Sequence, residues 1–250
     1  MNKIDDTCAL CESKNCFIQK LSQEWLSWVD SKKYTVHFPK DQNIFWENAE
    51  VNGVHFIKNG KVKVFSSGLG NKEKIVRLAS DGHIIGHRGY GAEKYPVSAA
   101  TLAESLVCFI DNASLYELFM TNPLFSYSMM MFYSEELRKS EQRAKYNSQM
   151  TSKERIITAI LYAKETFGCT QIDEHTHMLN VYLTRSEIAS IADTTAEEVS
   201  RVLTILENKK LILKKGRNIQ LLNEQKLLDM IKDYGIYNYT DSRSENLKVS

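Results

Sequence analysis

The spacing of apolar residues changes character along this chain. Between Tyr34 and Ile110 they fall in short runs divided by turn residues. Val36-His37-Phe38 precedes the turn Pro39-Lys40-Asp41, and Ile44-Phe45-Trp46 reads as a short buried run. Val54-His55-Phe56-Ile57 and Lys61-Val62-Lys63-Val64-Phe65 flank Lys58-Asn59-Gly60; Asn-Gly between two strand-like runs predicts a hairpin. Ile75-Val76-Arg77-Leu78 alternates, and Gly82 and Gly86 bracket Ile84-Ile85. Many short strands at regular spacing predict a sandwich or barrel.

After Asn122-Pro123 the pattern turns helical and runs to about Ser148, with proline suited to a first helical turn. Met130, Tyr133, Leu137, Ser140, Ala144 and Asn147 form a heptad seam, apolar in front and polar behind. Such a seam suits a parallel helix from a second copy; packing within one chain is the alternative. Met150-Thr151-Ser152-Lys153-Glu154-Arg155 then opens another segment, followed by an apolar helix from Ile156 to Phe167.

Residues 183–206 predict two short helices with a tight turn. Thr184 and Glu187 make a capping box ahead of Ile188, Ala189 and Ala192. Asp193-Thr194 breaks the pattern, and Thr195 caps a second helix with its apolar face on Val199, Val202, Leu203 and Leu206. Two such helices make a helix-turn-helix whose second helix can enter a DNA major groove. Its outer face carries Glu197, Ser200 and Arg201. Arginine can bond guanine O6 and N7 together, and glutamate can accept from cytosine N4. The plainer alternative is a helical hairpin with a solvated outer face. Leu211–Leu222 reads as a hairpin with Lys214, Lys215 and Arg217 at its tip, placed for phosphates; Thr184, Arg185 and Thr195 are further backbone-contact candidates. A short helix is expected around Leu227-Ile231, and the chain beyond Tyr239 is polar.

Composition narrows the class. The 250 residues are 43% hydrophobic and 25% charged, as in ordinary globular proteins, and suffice for one large or two modest domains. No apolar run approaches the ~20 residues of a membrane span. The polar, acidic N-terminus does not read as a signal peptide, so a cytoplasmic location is expected. A net charge of +1 announces no nucleic-acid partner, so phosphate binding must rest on local Lys and Arg. Neither a Gly-rich phosphate loop nor a nucleophile–base constellation is visible, so no enzyme is expected. Cys8-x2-Cys11-x4-Cys16 puts three thiols in nine residues, which suits an iron–sulfur cluster, zinc or another metal, or free thiols. Cys169, in a Gly-Cys-Thr loop, has no assigned role.

Thr184-Arg185-x-Glu187-Ile188-Ala189, Val199-Ser200-Arg201 and Leu203-x2-Leu206-x4-Leu211-Ile212 together resemble the winged helix-turn-helix of the CRP/FNR superfamily. These are bacterial regulators related to the cyclic-AMP receptor protein and the fumarate-nitrate regulator. Phe56-Ile57-x2-Gly60-x-Val62-Lys63 resembles the superfamily's β-roll, and the likeness spans roughly residues 21–222. It implies an α+β fold: a Cys-containing segment (1–20), a cyclic-nucleotide-binding-type β-roll or jelly roll (21–122), and a dimerisation helix (123–150). A winged helix-turn-helix (151–223) and a C-terminal helix and tail (224–250) complete it. It also implies a homodimer on double-stranded DNA, with RNA polymerase as a protein partner and no membrane role.

The resemblance carries exceptions. Members that bind cyclic nucleotides grip the ribose with Gly-Glu and the phosphate with Arg-Ser-Ala. Here the positions read Gly86-His87 and Val97-Ser98-Ala99, so cyclic AMP is not expected. His87 and Arg88 are candidates for another anionic ligand; the plainer reading is two exposed loop residues. Leu102–Ile110 looks like the segment that holds the fourth cluster ligand of the fumarate-nitrate regulator, which makes Cys8, Cys11, Cys16 and Cys108 candidate [4Fe–4S] ligands. The family spacing of the N-terminal trio is two then five, against two then four here, and Cys108 is otherwise a small buried hydrophobe. Glu197-x2-Ser200-Arg201 matches the fumarate-nitrate reading residues, and Ala196 stands where the cyclic-AMP receptor type has arginine. TTGAT-like half-sites in an inverted repeat are therefore implied, rather than TGTGA. The competing readings are a regulator answering to a small ligand in the roll, and a ligand sensor that binds no DNA.

Overall fold

The computed structural model describes residues 7–13, 15–68, 72–174, 176–216 and 218–234. Its contacts divide the chain into two units, with the boundary after Glu136, inside one long helix. Each is built around its own core.

The first unit opens with two 3-10 turns, Cys8–Leu10 and Phe17–Lys20, and helix α1 (Gln23–Lys32). Eight strands follow: β1 (Tyr34–Phe38), β2 (Asn43–Phe45), β3 (Gly53–Asn59), β4 (Val62–Ser67), β5 (Glu73–Ala79), β6 (Ile84–Ile85), β7 (Ser98–Thr101) and β8 (Ser105–Asp111). Helix α2 (Asn112–Thr121) and the first half of α3 (Pro123–Asn147) end the unit. The strands form two antiparallel four-stranded sheets, ordered β1-β8-β3-β6 and β2-β7-β4-β5. Phe45, Ile57, Val62, Val64, Ile85 and Ala99, drawn from both sheets, share one core. The other face of the first sheet, through Val54, Phe56, Ile84 and Ile110, packs with Leu26 and Val29 of α1, Leu115 and Leu118 of α2, and Phe125 and Met129 of α3. A sheet covered on both faces has no solvated side, which is why Gly53–Ile57 is buried without alternation.

The hairpin expected at Asn59-Gly60 does not form. The neighbours of β3 are β8 and β6, and those of β4 are β7 and β5, so the chain crosses between sheets at this point. Gly60 makes the corner at φ 149°, and a Cβ there would lie 2.1 Å from Ser105 Oγ. Its N–H donates to Asp81 Oδ1 at 2.7 Å, a partner 21 residues away that no local pattern announces. The run Ile44-Phe45-Trp46 is buried only in part: β2 ends at Phe45, and Trp46 is 60% exposed.

The second unit holds α4 (Ser152–Phe167), β9 (Cys169–Gln171), β10 (His177–Leu179), α5 (Arg185–Ala192), α6 (Ala196–Asn208), β11 (Ile212–Lys215), β12 (Asn218–Leu221) and α7 (Glu224–Asp229). Its sheet runs β11-β12-β10-β9, so the expected wing hairpin is the edge of a four-stranded antiparallel sheet. Cys169 accordingly sits in a strand opposite Leu179, not in a loop. Ile156, Ile157 and Ile160 of α4 pack with Ile188, Val199, Val202, Leu206 and Ile212 in one core. Fully burying each such side chain contributes about 1.5–3 kcal/mol. None of the helices among the described residues is long and apolar enough to cross a membrane.

Candidate DNA-reading face and cysteine cavity

The two helices of the predicted motif are fixed by local chemistry. Thr184 and Glu187 form the reciprocal capping box on α5, and the Thr195 hydroxyl accepts the Glu198 N–H on α6. Asp193 makes the turn in the left-handed region, at φ 55°. Arg155 of α4, which sequence reasoning missed, braces that turn: its Nε donates to the Ala192 carbonyl at 2.8 Å and Nη2 to that of Asp193 at 3.3 Å. The apolar face of α6 (Val199, Val202, Leu203 and Leu206) is buried, which leaves Glu197 and Arg201 exposed on the other side.

These exposed groups are not equally free. Glu197 is held ionised below the usual carboxylate range by its own backbone N–H and the Thr195 hydroxyl, which keeps it an acceptor. Arg201 forms a two-pronged pair with Glu198, Nε to Oε2 at 2.9 Å and Nη2 to Oε1 at 2.6 Å. A DNA contact by Arg201 must therefore compete with, or be buttressed by, Glu198, a residue given no part by the motif. The Ser200 hydroxyl donates to the Ala196 carbonyl of its own helix at 2.9 Å and is half-buried. Thr184, Arg185, Thr195 and Lys215 are exposed. Lys214 is tied back to α6, with Nζ 2.8 Å from Glu207 Oε2. Arg217 lies outside the described residues.

Along α3, Met130, Leu137 and Ala144 are exposed, Met130 to 58% and Leu137 to 62%. Tyr133 is 38% exposed, and its hydroxyl donates to the His87 carbonyl at 2.9 Å.

His87 departs from the expectation of an exposed loop residue. It is 4% exposed, packed edge-on against Phe132 and Tyr133. Neither ring nitrogen finds a hydrogen bond of normal geometry among the described residues. Burial, with the charges of Arg77 and Arg88 beside it, pushes its pKa down to about 2, so the imidazole is neutral. Arg88 stays at the rim, 31% exposed and 3.7 Å from Glu136, which lies 3.0 Å from the buried Arg77. His87, Arg88, Tyr90, Tyr116, Phe119 and Tyr133 line an open depression. At the phosphate-clamp position Val97 is buried, and the Ser98 hydroxyl already accepts the Glu47 N–H at 2.8 Å.

The cysteines converge. Cys8, Cys11, Cys16 and Cys108, from the N-terminal arm and β8, line one narrow cavity together with Lys33. Burial pushes the Cys8 thiol up to about 12 and that of Cys16 up to about 11, so metal-free both stay protonated. Among the described residues, no three of His, Cys, Asp and Glu stand close enough to share one metal ion. Four thiolates on one zinc lie about 3.8 Å apart, given Zn–S near 2.3 Å. A [4Fe–4S] cluster takes four cysteine thiolates, one on each iron. The donor set fits four-cysteine ligation. The open space, about 20 Å³, holds roughly one water, so a cluster held there would need the four sulfurs to move apart.

Comparison with known proteins agrees with this architecture. The family model described as "Cyclic nucleotide-binding domain" matches residues 35–122, and that described as "Crp-like helix-turn-helix domain" matches residues 154–230. The chain is 27% identical over 184 residues to the transcriptional activator protein Anr of Pseudomonas protegens, covering 74% of this chain and 75% of that one. It is 24% identical over 191 residues to the fumarate and nitrate reduction regulatory protein of Escherichia coli, covering 76% of each. The solved structure of FixK2 from Bradyrhizobium japonicum superposes with a TM-score of 0.68 at 20% identity, over 79% of this chain and 96% of that one.

Proposed function

We propose, from the premise that the chain belongs to the CRP/FNR superfamily of transcription regulators, that it works as a homodimer on inverted repeats of TTGAT-like half-sites in double-stranded DNA. One observation carries this reading: α6 buries its apolar face and leaves Glu197 and Arg201 outward, with Ser200 between them. Glu197 would accept from a cytosine amino group and Arg201 would bond a guanine edge. Thr184, Arg185, Thr195 and Lys215 would lie on phosphates, where contacts fix register without reading sequence. Lys214, held by Glu207, would chiefly stiffen the wing against α6. The exposed Met130, Leu137 and Ala144 would meet the same helix of a second copy, and RNA polymerase is the further partner the family suggests.

The input we assign to the cysteine cavity, with Cys8, Cys11, Cys16 and Cys108 as ligands of a [4Fe–4S] cluster. Bound there, such a cluster would supply one-electron chemistry and sensitivity to oxygen. The protein's part is to seat the arm on α1 and β8 and to keep water from the sulfurs, which the burial of Cys8 and Cys16 favours. The roll reads as not gated by a cyclic nucleotide, because a neutral, buried His87 replaces the ribose-binding carboxylate and Val97 replaces the arginine. A second reading has its own support: Arg88, loosely paired at the mouth of an aromatic depression, offers a small anionic ligand a charged anchor.

The test is a gel shift on an inverted TTGAT repeat, set against a TGTGA repeat and a scrambled duplex, with anaerobic iron and sulfide assay of the same protein. Preference for the TTGAT repeat supports the reading; equal binding to all three overturns it. A colourless, iron-free protein that binds DNA tightly keeps the DNA reading and removes the cluster.

A further inference from the structure

Lys33 is the least expected side chain in the first unit. It closes α1 as the C-cap residue, yet it is 6% exposed. A buried ammonium costs several kcal/mol unless it is paired, so it is a poor way to fill space. Its Nζ lies 2.9 Å from Asp30 Oδ1 and donates to Cys8 Sγ at 3.2 Å. Asp30 Oδ1 also accepts the Cys8 backbone N–H at 2.8 Å, and the Gln19 side chain donates to the Cys8 carbonyl. Cys8 is thus held at its amide, its carbonyl and its sulfur, and one of those holds carries a full positive charge.

We propose that Asp30 and Lys33 form an ionic clamp that seats the N-terminal arm and sets the reduction potential and retention of the cluster through the Cys8 sulfur. The proposal rests on the cluster reading above. Hydrogen bonds to ligating sulfurs and local charge are among the levers that tune such centres. An ammonium against a ligating thiolate favours the more negative, reduced state and raises the potential. The Asp30 carboxylate beside it works in the opposite direction while holding the Cys8 amide. Both are positioning residues, since neither binds iron itself.

The experiment uses the full chain, reconstituted anaerobically with iron and sulfide, as wild type, Lys33→Met, Lys33→Arg and Asp30→Asn. Iron and sulfide are counted, loss to a chelator is timed, and each protein is titrated anaerobically through uptake of one electron by the cluster from a mediator. Lys33→Met should lose iron about 10-fold faster and show a lower midpoint. Lys33→Arg should stay near wild type, and Asp30→Asn, which can still accept the Cys8 N–H, should show a higher midpoint. Opposite shifts from the two sides of the pair are a signature that general loosening of the arm does not produce. Unchanged midpoints in loaded Lys33→Met and Asp30→Asn overturn the clamp and leave the cluster reading intact. Wild type that takes up no iron overturns both. If Lys33→Met fails to load, the Asp30→Asn midpoint decides: higher supports the clamp, unchanged or lower overturns it.

Discussion

Two histidines make the β-roll sensitive to mild acid. His87 is 4% and His55 is 9% exposed. Burial pushes the His55 pKa down to about 4; burial, with Arg77 and Arg88 beside it, takes His87 to about 2. Unfolded, both titrate near 6.5. The unfolded chain therefore binds more protons below that value, and stability must fall as pH falls. Between pH 7 and 5.5 the folded imidazoles stay neutral while the unfolded ones charge, at a cost of about 1.3 kcal/mol each and about 2.5 kcal/mol together. All three tryptophans of the chain (Trp25, Trp28 and Trp46) lie in this unit, so urea unfolding followed by tryptophan fluorescence reports on it. A His87→Leu variant should retain the His55 half only, losing about 1.3 kcal/mol over the same interval. Carboxylates cancel between the two proteins. If wild type and His87→Leu lose the same stability, His87 charges freely in the folded state and the sealed, neutral imidazole is refuted.

Other residues give sharper local tests. Gly60→Ala should destabilise the roll by about 1–3 kcal/mol in thermal unfolding, because its Cβ would collide with Ser105 at a positive φ. Measured against salt, Lys215→Ala should flatten the slope of log K for DNA by about 0.9 for each phosphate that Lys215 neutralises. Lys214→Ala should flatten it clearly less, because Glu207 already holds that ammonium; equal changes would place both lysines on phosphates.

What the sequence disclosed depended on how local the cause was. The helices α5 and α6 were legible because Thr184, Glu187 and Thr195 cap them from within four residues and the apolar faces repeat inside one window. The wing strands were legible from alternation around Gly216, and the long helix from Pro123 onward. The roll's short strands were visible, but their partners were not. Asn59-Gly60 has hairpin chemistry, yet β3 has both neighbours taken by β6 and β8, and the corner is tied by Asp81. Helices α1 and α2 are only ten residues each, and α2 carries Leu115, Tyr116, Leu118, Phe119 and Met120 round most of its circumference rather than on one stripe; both are held by the sheet face they cover. Site residues followed the same division. The outward placement of Glu197 and Arg201 was legible from pattern, and the Glu198–Arg201 pair, three residues apart on one helix, carries a local signal of its own; the Arg155 brace, the burial of His87 and the Lys33–Cys8 hydrogen bond arise from packing that the pattern does not show.

The most direct test of the central claim is the affinity of wild type and Arg201→Ala for an inverted TTGAT repeat and for a scrambled duplex, by fluorescence anisotropy at one fixed salt concentration. Arg201 is 66% exposed, so its removal should change stability by less than about 0.5 kcal/mol. Removing one bidentate bond to a base costs about 1–3 kcal/mol, or roughly 5- to 150-fold per half-site. The account predicts that wild type prefers the repeat and that Arg201→Ala binds it more weakly by that factor while holding the scrambled duplex as before. An Arg201→Ala protein that keeps both the affinity and the sequence preference of the parent would contradict it.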